Sequence, residues 1–290
     1  GSLDKDTLVI IHQGQNLTGI ANQLYDLGVI SSPLYFKFYA IITSKDQSLK
    51  AGEYLFITNE NIISVLNKIV NNDINERYLT IPEGLTSIQI LNLINNADGM
   101  NYDLVTSLNE GSILPETYRY SWGDNREELL IRMKKSLDGF ARKAWLFRKE
   151  NLPFSSISEA LILASIVEKE TGLESERSKI ASVFINRLRK GMRLQSDPTV
   201  IYGINKSGLL GREITRSDLN GYTDFNTYKI SGLPPYPICH PGKSSIMAVL
   251  NPEDTDYLYF VADGLGGHVF AKTLRSHNKN VAKWRRLKNK

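Results

Sequence analysis

Two carboxylate residues, Glu168 and Glu170, end a strongly apolar segment of the sequence. The preceding residues 160–167 are apolar except for one serine, and such a run predicts a buried helix. Because residues three and four apart share a helix face, Glu170 continues the stripe of Ile166 and Val167. Glu168 is expected on nearly the opposite side of the helix.

The predicted position of Glu170 suits acid–base chemistry. A carboxylate at the end of a buried stripe is partly desolvated, which raises its pKa, and the negative end of the helix dipole acts in the same direction. Cleavage of a glycosidic bond needs a carboxylic acid that stays protonated near neutral pH. The alternative is that either glutamate only marks the helix end, or pairs with Lys169 or Arg187.

A further carboxylate, Asp197, lies within Met192–Gly203 and precedes Pro198. The residue before a proline is disfavoured in helical conformation, so we expect Asp197 in a turn. Three roles stay open for it: the second carboxylate of a hydrolase, a positioning residue, or a turn former. Residues 226–237 combine aromatic, amide and proline side chains in a stiff loop that suits sugar binding, and a purely structural loop fits the same composition.

Other kinds of site have little support in the sequence. His240, His268 and His277 occur without an HExxH motif, and Cys239 is the one cysteine, so no metal site is expected and no CxxC redox pair exists. The glycine-rich turn at residues 264–267 lacks the lysine of a phosphate-binding loop. The net charge of +4 is only mildly basic. We therefore expect no cofactor and no nucleic-acid partner.

Regular elements are predicted around these residues. Ser156 and Glu159 form a capping-box pattern ahead of the apolar helix, which is expected over roughly Ser158–Thr171. The segment Glu174–Lys190 has the apolar spacing of an amphipathic helix. Tyr257–Ala262 is typical of a strand.

The first part of the chain predicts a small module. Strands are expected at Leu8–Ile11 and Gly52–Ile57. Between them we predict one helix capped by Asn16, with Leu27 on its apolar side, and a second helix at Pro33–Thr43. This strand–helix–helix–strand order resembles a LysM-like module, a small fold associated with glycans that contain N-acetylglucosamine (GlcNAc). A generic αβ packing unit is the alternative.

The predicted fold class is α+β. With 290 residues, of which 41% are hydrophobic, the chain is long enough for two modest domains with sizeable cores. We assign residues 5–75 to the LysM-like βααβ module and residues 76–290 to a larger mixed α+β catalytic domain. The active-site region is expected within residues 156–275.

Seven motifs follow one another between residues 164 and 270. They are Ala164–Thr171, Ser182–Leu188, Met192–Gly203, Asn226–Tyr228, Gly232–Pro235, Tyr257–Gly264 and Gly267–Phe270. Together they resemble the YceG-like family, the endolytic murein transglycosylases, over about Ile81–Trp284. The first part of the chain is similar, more loosely, to the LysM-like region of that family.

The resemblance implies a reaction and the residues that carry it. The family's catalytic glutamate, the second of a Glu-Lys-Glu motif, falls on Glu170, in agreement with the helix-face argument. Gln195, Asp197, Asn226 and Tyr228 fall on motif positions that line the substrate cleft. The implied enzyme is a lytic transglycosylase, a lyase that cuts between N-acetylmuramic acid (MurNAc) and GlcNAc in nascent peptidoglycan strands. It would leave 1,6-anhydroMurNAc ends and so terminate elongation of the strand.

The resemblance also implies a location and partners. Family members are held in the cell inner membrane by a single amino-terminal helix, with the catalytic part on the periplasmic, extracytoplasmic side. They act on peptidoglycan glycan strands near peptidoglycan synthases, including penicillin-binding proteins. This sequence has no apolar stretch of ~18 residues, and its opening Gly1-Ser2 is typical of the remnant of a removed tag. We therefore expect the anchor upstream of this sequence.

Two residues depart from the family pattern, and two other functions stay open. Tyr236 stands where a small residue such as glycine is expected, and His240 where asparagine or threonine is commoner, which puts the rim of the substrate loop in question. One alternative function is a hydrolytic muramidase that uses Glu170 and Asp197. The other is a non-catalytic peptidoglycan-binding scaffold.

Overall fold

The structure is a computed structural model that describes residues 3–101 and 103–288. Gly1 and Ser2, interpreted from the sequence as a tag remnant, lie outside the described residues. Within those ranges the chain forms eleven helices and six short strands, which confirms the predicted α+β class. The chain divides into two compact units. Unit 1 contains Gly1–Leu79, Ala97–Asp103 and Tyr118–Leu129, and unit 2 contains Thr80–Asn96, Leu104–Thr117 and Leu130–Lys290.

Unit 1 begins with the predicted βααβ arrangement. Its elements are β1 (Thr7–Ile11), α1 (Leu17–Asp26), α2 (Pro33–Ile42) and β2 (Gly52–Phe56), followed by α3 (Ile62–Asn71). The two strands are antiparallel, with Thr7 opposite Phe56 and Ile11 opposite Gly52. The strand–helix–helix–strand order of the sequence prediction is therefore confirmed.

Local signals explain where the elements of unit 1 begin and end. The side chain of Asn16 accepts a hydrogen bond from the Gly19 amide at 2.8 Å, as expected of a helix N-cap. Tyr54 is fully buried in the core, and its hydroxyl donates to the carbonyl of Lys50 at 2.9 Å. The prediction for Leu27 was wrong. This residue follows the last turn of α1 as its C-cap, so its side chain leaves the apolar stripe and is 45% exposed.

Unit 2 is mainly helical. Its helices are α4 (Ser87–Asn95), most of α5 (Arg126–Leu146), α6 (Ile157–Glu170), α7 (Glu174–Arg189), α8 (Asp197–Ile204), α9 (Arg216–Asn220), α10 (Lys243–Leu250) and α11 (Leu274–Lys288). Strands β5 (Tyr259–Ala262) and β6 (His268–Ala271) pair antiparallel. Strands β3 (Arg77–Thr80) and β4 (Thr117–Tyr120) form another two-stranded sheet, most of which belongs to unit 1.

The core of unit 2 forms around α6. Residues Ile162–Val167 of this helix are all buried, and α7 and α10 pack against it. The predicted capping box is present, because the Ser156 hydroxyl accepts from the Glu159 amide and Glu159 accepts from the amide of Ser156. A helix buried on nearly every side is held in one position by its packing, and this also fixes the position of the side chains at its C-terminal end.

Within the residues that the structure describes, no helix is long and apolar enough to cross a membrane.

The start of α10 depends on a glycine. The Gly242 amide donates to Glu168 at 2.9 Å, and a Cβ at Gly242 would lie 1.8 Å from a carboxylate oxygen of Glu83. The backbone φ of Gly242 is −76°, so the requirement is for space and not for an unusual conformation.

We therefore expect Gly242→Ala to lower the free energy of unfolding by only about 0.5–1 kcal/mol, because alanine is a poorer N-cap than glycine and the flexible, 41% exposed end of Glu83 can move aside. Thermal and denaturant unfolding measure this change. Gly139→Ala is the matched control, since Gly139 lies inside α5 with nothing near its would-be Cβ. That control is expected to be neutral or stabilising. Equal stability of the two variants would contradict the N-cap argument.

Candidate active site

Glu170 is the last residue of α6, and the chain leaves the helix at Thr171. The side chain of Glu170 is half-buried, whereas Ile166 and Val167 in the turn before it are fully buried. The hydroxyl of Ser196 donates a hydrogen bond to Glu170 Oε1 at 2.5 Å. The carboxyl group therefore sits at the edge of the core, held by one neutral donor.

Neither cation that the sequence offered as an alternative partner pairs with Glu170. The ammonium group of Lys169 donates to the carbonyl of Gly84 at 3.1 Å. The guanidinium of Arg187 is buried and donates to the carbonyls of Leu258 at 2.7 Å and Leu194 at 2.6 Å. In the described parts of the chain, no lysine or arginine lies within 4 Å of the Glu170 carboxylate oxygens.

The surroundings of Glu170 favour its protonated form. Burial raises the pKa of Glu170 to about 7, and the negative charge of Asp197 acts in the same direction. The hydrogen bond from Ser196 and the charges of His268 and Arg187 lower this pKa, without offsetting the burial. A carboxyl group with a pKa near 7 gives and takes protons efficiently at neutral pH.

Glu168 differs from Glu170 although only one residue separates them. Its side chain is 5% exposed and forms an ion pair with Arg177 at 3.3 Å, and its second oxygen accepts from Gly242. On a helix, two residues apart means nearly opposite faces. Glu168 therefore binds α6 to α7 and α10 as a structural carboxylate, while Glu170 stays unpaired.

A closed set of hydrogen bonds among Ser196, Thr199 and Thr227 positions the Ser196 donor. All three side chains are buried. The amide of Ser196 donates to the Thr227 hydroxyl at 2.9 Å, the two threonine hydroxyls contact each other at 2.8 Å, and the Thr199 hydroxyl donates to the carbonyl of Ser196 at 2.6 Å. Since these bonds use the Ser196 backbone, its hydroxyl is left to bind Glu170.

Asp197 lies in the first turn of α8, so the expectation of a turn before Pro198 was wrong. Proline is well tolerated in the first turn, because an amide there has no partner within the helix, and a negative charge suits the helix N-terminus. The phenol of Tyr228 donates to Asp197 Oδ1 at 2.6 Å. Burial raises the pKa of Tyr228 further above its ordinary value, so the phenol remains a donor.

The other two predicted site residues are placed very differently. Gln195 is exposed and adopts a φ of +52°, with its amide bonded to the carbonyl of Thr227 at 3.2 Å. Asn226 has no accessible surface. Its side-chain amide donates to the carbonyls of Leu219 and Gly221, and its oxygen accepts from the Tyr228 amide. Asn226 therefore orients the Tyr228 backbone from within the core. Of the four predicted site residues, Gln195, Asp197 and Tyr228 have solvent-accessible surface that a substrate could contact.

Three residues near these motifs had no role in the sequence predictions. Ser196 lies between the candidate residues Gln195 and Asp197, and Thr227 lies between Asn226 and Tyr228. A hydroxyl side chain next to predicted site residues was the signal that could have identified them. Glu176 was an ordinary helix residue in the sequence. In the structure it accepts from the His268 amide at 2.9 Å and contacts the imidazole Nδ1 at 2.7 Å. The ring of His268 is thereby held near Glu170, whose pKa its charge affects.

His240, the second departure from the family pattern, is fully buried. The Ile113 amide donates to its Nδ1 at 3.3 Å, so its proton lies on Nε2, which contacts the Ser87 hydroxyl at 3.0 Å. Burial lowers the pKa of His240 to about 4, so the ring is neutral. His240 is therefore a structural residue in the core of unit 2.

Comparison with known proteins agrees with this architecture. The model of the YceG-like family matches residues 9–283. An endolytic murein transglycosylase of Bacillus subtilis is 32% identical, and the match covers 99% of this chain and 87% of that protein. An endolytic murein transglycosylase of Streptococcus pneumoniae is 29% identical over 96% of this chain, which spans 58% of that longer protein.

A solved structure is also similar. The crystal structure of a YceG-like protein from Listeria monocytogenes has 32% sequence identity and a TM-score of 0.58, with 95% of this chain and 99% of that chain covered. With the family model matching most of the sequence, the chain belongs to the YceG-like family. The resemblance seen in the motifs is confirmed.

The causes of the Glu170 pKa predict opposite effects of two neighbouring substitutions. Ser196→Ala removes a hydrogen bond to the carboxylate and is expected to raise the pKa of Glu170 above 7, whereas Asp197→Asn removes a negative charge and should lower it. Carbon-13 NMR of labelled glutamate carboxyls measures the midpoint directly. Shifts in the same direction for both variants would show that a general loosening of the site, and not these two contacts, sets the pKa.

The raised pKa of Glu170 also predicts how stability changes with pH. The folded state holds the proton up to about pH 7, and the ordinary carboxyl loses it near pH 4.5, so this group's contribution to stability is lost as pH rises from 4.5 through 7. Glu170→Gln cannot ionise. It should therefore be more stable than the native chain at pH 8, by roughly 1–3 kcal/mol, with no such gain at pH 4.

Thermal unfolding at the two pH values tests this expectation. Glu168→Gln is the control two positions away. Losing the ion pair with Arg177 should make that variant less stable at pH 8. A Glu170→Gln variant with the same stability difference at both pH values would contradict the raised pKa.

Proposed function

We propose that this chain is a peptidoglycan lytic transglycosylase that cleaves the MurNAc–GlcNAc bond within nascent glycan strands and leaves 1,6-anhydroMurNAc ends. One observation carries the proposal: Glu170 is a partly accessible carboxyl without a cation partner, and its pKa is about 7. The relatives named endolytic murein transglycosylase support the substrate and the reaction class. Cutting a strand as it is made would terminate its elongation.

In the proposed first step, Glu170 protonates the oxygen that joins MurNAc to GlcNAc. The bond between MurNAc C1 and that oxygen breaks, and the GlcNAc leaves as an alcohol while the MurNAc ring gains oxocarbenium character. Because Ser196 donates to Oε1, the acidic proton is expected on Oε2. Ser196 then stabilises the carboxylate that the step creates.

In the second step, the Glu170 carboxylate removes the proton of the MurNAc C6 hydroxyl. That oxygen attacks C1 and closes the 1,6-anhydro ring, and Glu170 is protonated again. One carboxyl group therefore serves as acid and then as base, and no water is consumed. A single acid–base group fits a site in which Asp197, the carboxylate whose charge acts on Glu170, is hydrogen-bonded to Tyr228.

We assign supporting roles to the other residues by their placement. Asp197 raises the pKa of Glu170 and, with Tyr228 and Gln195, offers polar groups to the sugar. Asn226 is a positioning residue, because its side chain lies in the core and holds the Tyr228 backbone.

A hydrolytic muramidase is the second candidate function. It is favoured by one observation: the charge of Asp197 acts on Glu170, so the site contains two carboxyl groups. In such an enzyme Asp197 would serve as nucleophile or would activate water. The hydrogen bond that the Tyr228 phenol donates to Asp197 Oδ1 fits this role less well, because it lowers the nucleophilicity and basicity of the carboxylate.

The location and partners are proposed on the family resemblance alone. We propose that the chain acts outside the cytoplasm, as part of a protein anchored in the inner membrane by an amino-terminal helix, and that it works beside peptidoglycan synthases such as penicillin-binding proteins. Cell fractionation and cross-linking of the whole protein test these two points. The intact peptidoglycan strand is the partner that the proposed chemistry requires.

Mass spectrometry of digested peptidoglycan tests the reaction. The native chain should release products with anhydro ends, each lighter by one water than a reducing end. Glu170→Gln should lower the rate by about 10²–10⁴-fold, because an amide cannot transfer the proton. The native rate should also fall about tenfold for each pH unit well above 7, where Glu170 is ionised.

Glu168→Gln, adjusted for its stability, is the matched control and should keep the anhydro product. Reducing ends would support the muramidase instead, and in that case Asp197→Asn should abolish cleavage. Unchanged cleavage by Glu170→Gln would show that the assignment of this residue is wrong. Binding of strands without cleavage by the native chain would support the scaffold alternative.

A further inference from the structure

A cavity lies in unit 2, beside the C-terminal end of α8. Its volume is about 460 Å³, and it is lined by Ile88, Leu108, Glu110, Tyr202, Lys206 and Tyr236, among others. The helix that supplies Tyr202 also supplies Asp197 in its first turn. Five residues of helix correspond to roughly 7–8 Å along its axis, so the backbone of Tyr202 lies about that far along α8 from Asp197.

A buried carboxyl group forms one wall of this cavity. The Glu110 side chain is 7% exposed, accepts from the Ser87 amide at 3.0 Å, and accepts from the Tyr202 phenol at 3.2 Å. A carboxylate has about four lone-pair positions, so Glu110 keeps capacity to accept a further N–H. Burial raises its pKa, as expected of a carboxyl that lacks a bonded cation.

Lys206 brings an ammonium group to the same cavity. Its Nζ lies 3.5 Å from the centre of the Phe225 ring, 4.3 Å from that of Tyr202 and 5.5 Å from that of Tyr236. The three rings stabilise the charge through their faces, but a ring face does not replace an anionic acceptor. In the part of the chain that the structure describes, no side-chain or backbone oxygen is hydrogen-bonded to Nζ. The carboxyl groups of Glu110 and Asp224 act on this ammonium through space only, so its N–H donors remain open to an anionic ligand.

The remaining walls give the cavity an apolar body. Tyr236 is 42% exposed and Ile88 47% exposed, so both offer open surface, and the Tyr236 ring is held edge-to-face by Tyr202 and Phe225. The glycine expected at position 236 from the family pattern would leave this wall open. Tyr236 therefore supplies an aromatic wall of this cavity.

The ligand that matches is a short peptide with a free carboxylate. Lys206 would bind the carboxylate, Glu110 would accept a peptide N–H or an amine, and the tyrosine and aliphatic walls would cover the apolar part. A phosphate group fits less well, because the Glu110 carboxyl in the same cavity repels a dianion more strongly than a singly charged carboxylate. Glycan strands of peptidoglycan carry short peptide stems of this chemistry on MurNAc.

We propose that this cavity is a subsite for the peptide stem of the substrate, with Lys206 as the residue that binds a stem carboxylate. The proposal rests on the proposed function, since the stem reaches the cavity only if the glycan lies across Glu170. It adds substrate selectivity to that function: the enzyme prefers glycan strands that carry peptide stems over strands without them.

The test compares cleavage of stem-bearing strands with cleavage of strands stripped of their stems by an amidase. Lys206→Met should lower kcat/KM by about tenfold on stem-bearing strands and leave stripped strands unaffected, because one charge-assisted contact is lost. Lys206→Arg keeps the charge and should retain activity. Lys190→Met, at an exposed lysine after α7, is the control for loss of one positive charge.

A binding measurement separates this proposal from the proposed function. A synthetic stem tripeptide should bind the native chain and Glu170→Gln equally by calorimetry, and Lys206→Met about tenfold more weakly. Inorganic phosphate should not compete. No peptide binding, competition by phosphate, or equal losses on both kinds of strand would overturn the subsite. If the native chain cleaves neither strand, the proposed function fails, and the peptide titration still decides whether the cavity binds stems.

Discussion

The candidate active site depends on one carboxyl group that the fold desolvates without giving it a cation. Burying an unpaired charge is unfavourable, so such a group keeps its proton instead. Here the desolvation comes from α6, which is buried through Val167 and brings its last residue, Glu170, to the edge of the core. Arg187 lies near enough to act on this carboxyl, but backbone carbonyls occupy its guanidinium. An ion pair there would hold the carboxyl ionised and remove its use as an acid.

Helix geometry lets two neighbouring glutamates take different roles. Glu168 faces α7 and α10, where Arg177 neutralises it and the Gly242 amide binds it. Glu170 faces the loop that carries Ser196, a neutral donor. The ion pair keeps α6 in position, and that position in turn desolvates Glu170. Stability and chemistry are thus divided between two positions, and neither residue has to serve both.

Much of this could be predicted from the sequence, because the signals are local. The capping box at Ser156, the apolar run of α6 and the face of Glu170 follow from helix periodicity, as does the βααβ order of unit 1. Contacts between distant segments gave no such signal. The hydroxyl set around Thr227 and the inward direction of Asn226 depend on two loops meeting, which periodicity does not report. Helical phase also fails at helix ends, as the exposed Leu27 shows.

The two departures from the family pattern lie four residues apart and have opposite meanings. His240 faces inward as a neutral ring between Ser87 and Ile113, so it has no surface to offer a substrate. Tyr236 faces outward and adds an aromatic wall where Lys206 already stands over Phe225. A substitution in the core must preserve the hydrogen bonds and packing of the surrounding residues. A substitution at the surface does not have this constraint and can change which ligands the protein binds. Of the two residues, Tyr236 and not His240 is therefore placed to contact a ligand in the cavity.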